Sequence, residues 1–354
     1  MLANTLAFVL LLAVAVYAAA GGTDYGAGFW DLVAGGRERG AAPRALIDHA
    51  MAPVWEANNV WLIFAAVVCW TSFPILWQSV FASLYPLLLV GVLGLVLRGV
   101  GFAFRKVTRT IRGRRVASLL FGSSSILAPF CFSAALGAVA SGRVGVGAPV
   151  VPIWQACLNP TSIAFGVVGV GATAFTGAVF LMMDARRFGA VDLIEYFRRR
   201  AIGAAIATVV VALASIAVLS FDGAAVFRGL GGPVAVGFAV LALLAIGSVF
   251  VMLWSRRQRF VRVLTIVGVG SFVFAWGFAQ APYLIPHRLT IAQGAGASSS
   301  LMWFGIVTIV AVAIVAPSLG LLYWLDQRND LTADTDQDVS EEGATREGGG
   351  GSPP

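Results

Sequence analysis

Apolar residues along this chain gather in long, nearly uninterrupted runs instead of alternating with polar ones. Nine runs approach or exceed the roughly 20 residues that a helix needs to cross a bilayer. They cover residues 2–22, 54–73, 76–104, 116–140, 161–184, 201–220, 233–254, 262–284 and 301–324. The pattern predicts an all-α integral membrane protein, a bundle of nine transmembrane helices over residues 1–325. From Asp326 the chain turns polar, acidic and finally glycine-rich, ending past Gly348 to Gly351. That composition predicts a disordered tail over 326–354. In the first run, Ala18, Ala19 and Ala20 are small residues of the kind found at a signal-peptide cleavage site. The run lacks a basic leader, so it is read as a retained helix.

The basic residues test the number of spans, because cytoplasmic connections collect Lys and Arg and a miscount would scramble the alternation. Arg37, Arg39 and Arg44 follow span one, and a basic group from Arg98 to Arg115 ends or follows span three. Arg186, Arg187 and Arg198 to Arg200 follow span five; Arg256, Arg257, Arg259 and Arg262 follow span seven; Arg328 and Arg346 lie in the tail. All but three of the 24 basic residues, Arg143, Arg228 and Arg288, fall on one side. The expected topology therefore has the N-terminus outside and the C-terminus and tail in the cytoplasm.

Composition agrees: 59% of residues are hydrophobic and only 12% charged, with a mean hydropathy of +0.87, too apolar for a soluble domain. The topology also accounts for the net charge of +7. The run from Arg105 to Arg115 lies between two spans at headgroup level, so it is read as a contact with anionic lipid, not nucleic acid.

Several chemistries are absent from the pattern. Cys69, Cys131 and Cys157 lack metal-ligand spacing and read as small apolar residues. The two histidines, His49 and His287, lie outside the apolar runs, so facing helices have no histidine pairs with which to hold haems. No haem or metal ligand is assigned to this chain. No lysine-bearing phosphate loop, zinc-protease helix motif or serine nucleophile elbow stands out. Glycines such as Gly166, Gly169 and Gly171 punctuate the spans, where small residues let helices approach closely.

What remains is a set of polar residues near one end of the first three spans. Glu56, Asn58 and Asn59 open the second apolar run, Asp24 follows the first, and Arg98 lies in the third. A carboxylate at membrane depth costs on the order of 3 kcal/mol by insertion scales and usually faces protein, water or an ion path. Glu56 and Asn59, three residues apart, share a helix face. A helix N-terminus favours the ionised carboxylate and burial the protonated one, a balance that suits a group exchanging protons. The competing reading is a structural ion pair in which Arg98 matches Glu56 or Asp24, and residue chemistry alone leaves the two open.

Two stretches resemble subunit II of the cytochrome bd-type quinol oxidases. That family carries a pattern of roughly Gly-Phe-Asp-Leu-Gly-Val-Gly after its first helix, and Gly22 to Gly28 (GTDYGAG) resembles it. Its second pattern, roughly Pro-x-Trp-Asp-Gly-Asn-Glu/Gln-Val-Trp, is similar to Pro53 to Trp61 (PVWEANNVW). Weaker echoes are Arg98 to Phe102 (RGVGF) and Leu158, Asn159 and Pro160. Thr23, Glu56, Ala57 and Asn59 depart from the pattern and mark a divergent member.

The resemblance implies a nine-helix subunit that binds no haem itself and pairs with a homologous subunit I bearing haems b and d. Together they would oxidise quinol and reduce oxygen to water in aerobic respiration, in a bacterial or archaeal cytoplasmic membrane. It also implies that this subunit contributes to proton uptake from the cytoplasm. The chain is thereby expected to route protons through Glu56, with Asn58 or Asn59 and water as relay, Asp24 as a second carboxylate and Arg98 as the compensating charge. Trp55 and Trp61 are expected at packing and interface positions, and Gly26 and Gly28 in motif packing. A structural quinone and a small single-helix third subunit remain open. So do two other readings: a proton-coupled secondary transporter, and a purely structural assembly subunit of the oxidase.

Overall fold

The computed structural model describes residues 1–327 except 37, 52–54, 109 and 258; the side chains of Trp55, Glu56, Ala57 and some others also lie outside the description. In chain order the elements are α1 (Leu2–Leu32), α2 (Ala41–Met51), α3 (Trp55–Ser72), α4 (Pro74–Val107), α5 (Ile111–Ala140), α6 (Ile153–Cys157) and α7 (Pro160–Arg187). Then come α8 (Val191–Asp222), α9 (Ala224–Gly229), α10 (Pro233–Trp254), α11 (Val261–Gln280), β1 (Tyr283–Ile285), β2 (Leu289–Thr290), α12 (Ile291–Gly294) and α13 (Ser298–Gln327). Helix starts follow local chemistry. Pro74, Pro160 and Pro233 occupy first-turn positions, where a missing N–H costs nothing. The Thr110 hydroxyl and Asn159 amide oxygen cap α5 and α7 by accepting from the N–H groups of Gly113 and Ser162.

Eight helices, α1, α4, α5, α7, α8, α10, α11 and α13, are long and apolar enough to cross a membrane. The remaining expected span coincides with α3, whose described apolar stretch, Asn58–Ser72, is shorter. Several expected boundaries shift. The sixth run was expected to start at residue 201, but α8 begins at Val191 and carries Arg198 to Arg200. The eighth apolar run extends to residue 284, but α11 stops at Gln280, and the chain turns through a cis Ala281–Pro282 bond into the β1–β2 hairpin.

The first span was expected to end at residue 22, with Asp24 beyond it, whereas α1 continues to Leu32 and carries Asp24 on the helix. The glycines there do not break α1, because they are where neighbouring helices touch it. A Cβ at Gly26 would sit 2.1 Å from the Thr173 carbonyl oxygen of α7, and one at Gly28 would sit 2.0 Å from the Ser125 Oγ of α5. Close packing offsets the intrinsic cost of about 1 kcal/mol per helical glycine.

Residues Met1–Leu301 form one compact unit. Within it the sequential pairs α4–α5, α7–α8 and α10–α11 pack together, and α1 lies against α3, α5, α7 and α11. Gly166 meets the Phe130 ring, Gly169 the Ser133 hydroxyl and Gly171 the Thr208 hydroxyl, so the glycines of α7 serve close approach, as expected. The second unit begins at Met302, and its described part is the continuation of α13, an apolar helix with Pro317 inside it. The expected tail lies, from residue 328 onward, outside the described residues.

Candidate functional site

Three helices bring Asp24, Asn58 and Arg98 together. Asp24 of α1 is 2% exposed, Arg98 of α4 1%, and Asn58 in the first turn of α3 is buried as well. Asn58 stands beside Asp24, and Arg98 lies within its electrostatic reach without forming a direct ion pair. The Arg98 Nε donates to Ser125 Oγ at 3.3 Å, and Ser125 Oγ donates to the Phe121 carbonyl at 2.6 Å. The guanidinium carbon lies 4.9 Å from the Tyr25 ring centre and 5.3 Å from that of Phe121, so two aromatic faces help hold a buried cation. The hydroxyls of Tyr25 and Tyr17 are hydrogen-bonded at 2.8 Å. Asp24 Oδ1, Asn58 Nδ2 and Arg98 Nη2 are buried and make no hydrogen bond to protein. Buried polar atoms are ordinarily paired with protein or water, so this tier has bonding directions suited to water.

A second tier follows two turns along α1, a rise of about 10 Å. Asp31, 1% exposed, accepts from Arg105 Nη2 of α4 at 2.8 Å and lies 3.7 Å from Arg44 Nε of α2. Arg105 Nε also faces Asp48 of α2 at 3.3 Å, and Asp48 is half-exposed. The Phe121 ring lies within cation–π range of the Arg98 guanidinium in the first tier and of Arg105 in the second, 5.8 Å from the latter. Arg105 was expected to face lipid headgroups. Instead its side chain is only 10% exposed and both it and Arg44 are drawn to Asp31, since a buried carboxylate is a stronger partner than a hydrated headgroup.

Of the residues singled out from sequence, Asp24, Asn58 and Arg98 converge. The Glu56 and Trp55 side chains lie outside the described residues. Asn59 is half-buried at the next position of α3, and Trp61 packs edge-on against Phe64. Gly26 and Gly28 are contact points of α1 with α7 and α5. Sequence reasoning missed Asp31, Tyr17, Tyr25, Ser125 and the inward role of Arg105. A signal for the tiers existed: Asp24 and Asp31 are seven apart, as are Arg98 and Arg105, which places each pair on one helix face.

Asn159 is a cap, and Asp222 at the end of α8 accepts from Thr161 N and Oγ1 at 2.9 and 2.7 Å while pairing with Arg143. His49 packs edge-on against Phe188, and His287 sits in the β1–β2 turn. Neither has a second histidine opposite it for haem ligation. Among the described residues no group of three His, Cys, Asp or Glu could hold a metal ion.

Long apolar helices enclosing paired carboxylates and guanidinium groups define a multi-pass membrane protein with a polar intramembrane site. The chain belongs to the cytochrome bd terminal oxidase subunit II family, whose model matches residues 2–326. It is 26% identical over 189 residues to cytochrome bd-I ubiquinol oxidase subunit 2 of Escherichia coli (strain K12), covering 51% of this chain and 49% of that one. It is 28% identical over 109 residues to cytochrome bd ubiquinol oxidase subunit 2 of Bacillus subtilis (strain 168), covering 31% of each chain. The match thus spans about half the length of the Escherichia coli relative. In fold the chain resembles a chain of the bd oxidase from Geobacillus thermodenitrificans, with a TM-score of 0.76 at 23% identity over 93% of this chain and 99% of that one.

Proposed function

We propose that this chain is the haem-free subunit II of a bd-type quinol oxidase and supplies part of the path by which protons reach the oxygen-reducing centre. The observation that carries this reading is the buried convergence of Asp24, Asn58 and Arg98 from α1, α3 and α4. Charged groups at membrane depth are expensive and mark ion and proton routes. These three have buried atoms with bonding capacity left for water. Haems b and d in the partner subunit I supply the electron transfer from quinol to oxygen. This chain's part is to hold and pass protons, with Glu56 as the exchanging carboxylate, Asn58 or Asn59 as relay, Asp24 as second carboxylate and Arg98 as balancing charge.

In this reading α3 is a ninth span, the N-terminus lies outside, and the C-terminus, with its acidic final segment, lies in the cytoplasm. The alternation of basic connections supports that orientation and sets the C-terminal end of α1, with Asp31, on the cytoplasmic side. The membrane is the cytoplasmic membrane of a bacterium or archaeon, with lipid around the bundle.

The test is purification in mild detergent with a reduced-minus-oxidised optical spectrum. Bands of b- and d-type haem in a co-purifying larger subunit are expected. With Glu56→Gln, oxygen consumption should fall while those bands persist. A colourless preparation from cells with a working bd oxidase would overturn the assignment, and parental turnover of Glu56→Gln at every pH would remove the proton role of that residue.

A further inference from the structure

Asp31 lies outside both stretches that carry the family resemblance, yet it is as buried as Asp24 and shares its face of α1. Its Oδ1 takes the contacts with Arg105 and Arg44, while its Oδ2 is buried without a hydrogen bond, as is Nη1 of Arg105. Arg105 is divided between two carboxylates, buried Asp31 through Nη2 and half-exposed Asp48 through Nε. Arg44 is anchored elsewhere, donating from Nη2 to the Gly35 carbonyl at 2.7 Å. The Phe121 ring of α5 lies within cation–π range of the guanidinium groups of Arg98 and Arg105, 5.3 and 5.8 Å from their central carbons. From α8, the Arg200 guanidinium lies over the ring of Trp30, next to Asp31 in sequence.

We propose that Asp31 is a second proton-carrying carboxylate, placed before Asp24 on the way in from the C-terminal end of α1, and that Arg105 is its switching counter-charge, released to Asp48 when Asp31 is protonated. This rests on the reading of the chain as a proton-conducting subunit. In the loading step an O–H bond of a hydronium ion at the aqueous end breaks and one forms at Asp31 Oδ2. Asp31 becomes neutral, and Arg105 shifts its pairing to the Asp48 carboxylate, which keeps its charge. In the unloading step the Asp31 O–H bond breaks, the proton passes through hydrogen-bonded water towards Asp24, and Arg105 returns to the re-formed carboxylate. No electron moves in either step. The rise of about 10 Å between the two carboxylates is a span that one or two waters and the side chains themselves can bridge.

The alternative is a static staple joining α1, α2 and α4, and the two make different predictions for the purified oxidase complex. Asp31→Asn should lower oxygen consumption about tenfold with the haem spectrum intact, and Asp31→Glu should restore most of it, because a relay needs a titrating group. Asp48→Asn leaves Arg105 with Asp31 as its one carboxylate, so protonating Asp31 then requires a higher proton concentration. The turnover–pH profile should move to lower pH by about one unit, a shift that a staple does not produce.

Asp31→Asn with parental turnover and pH profile, where Asp24→Asn is slow, would overturn this inference and leave the proposed function standing. If both asparagine variants run at parental rate with haem intact, the proton function falls as well. Should Asp31→Asn fail to assemble, an unmoved Asp48→Asn profile would by itself overturn the relay.

Discussion

The crossing of α1 and α7 gives the sharpest structural prediction. At Gly26 an added Cβ would lie 2.1 Å from the Thr173 carbonyl oxygen, 2.6 Å from Gly177 Cα and 2.8 Å from Gly177 N. All three are backbone atoms, so no rotamer change relieves the clash. Ordinary contact begins near 3.4 Å, so Gly26→Ala requires the two helices to part by about 1.3 Å or to tilt. Overpacking of this kind typically costs about 1 to 3 kcal/mol, and the absence of a yielding side chain puts this site at the upper end. For a chain of this size that corresponds to a fall in Tm on the order of 5 °C.

The same argument grades other sites. Gly91 faces the edge of the Phe132 ring at 3.0 Å and the Cys131 Cβ at 3.1 Å, so Gly91→Ala should cost less. Gly203 on α8 has nothing within 4 Å, so Gly203→Ala should leave Tm unchanged or raise it slightly through helix propensity. The assay is thermal unfolding of the purified complex at one heating rate, with haem content measured alongside. A Gly26→Ala complex as stable as Gly203→Ala would refute the claim that backbone contact at this crossing holds the helices together.

Arg98→Met should be strongly destabilising, by about 3 to 5 kcal/mol, because it leaves Asp24 buried without its balancing charge. Combining it with Asp24→Asn should recover part of the loss, and a double variant no more stable than the single one would mean the two are not coupled. At the other end of the bundle, Asp222→Ala removes the acceptor of Thr161 N and Oγ1 and the partner of Arg143. It should cost about 2 kcal/mol by unfolding without changing turnover per haem. A loss of turnover at unchanged stability would place that cluster in the functional path instead.

Eight of the nine expected spans were legible because membrane helices announce themselves in long apolar runs, and the convergence of Asp24, Asn58 and Arg98 was legible because polar groups in or beside such runs have few innocent explanations. The end of α1 was not. The apolar run stops at residue 22, and only the approach of α7 at Gly22 and Gly26 and of α5 at Gly28 shows how glycine is accommodated as the helix continues. With the terminus misplaced, Asp31 fell in a loop and its heptad relation to Asp24 went unused. Arg105 was hidden in a different way. It heads a basic run whose other members suit a headgroup contact, and hydropathy does not reveal that the helix carrying it continues to Val107 with this side chain turned inward. The contact between the Tyr17 and Tyr25 hydroxyls became visible only once α1 was seen to continue past residue 22.

The central claim is that the buried tier around Asp24 moves protons for an oxidase. Oxygen consumption of the Asp24→Asn complex, measured across pH against haem content, tests it most directly. The account predicts assembled, haem-replete enzyme whose turnover falls at least about tenfold, most steeply at high pH, where protons are scarce. Parental turnover at every pH from the same haem-replete complex would contradict it.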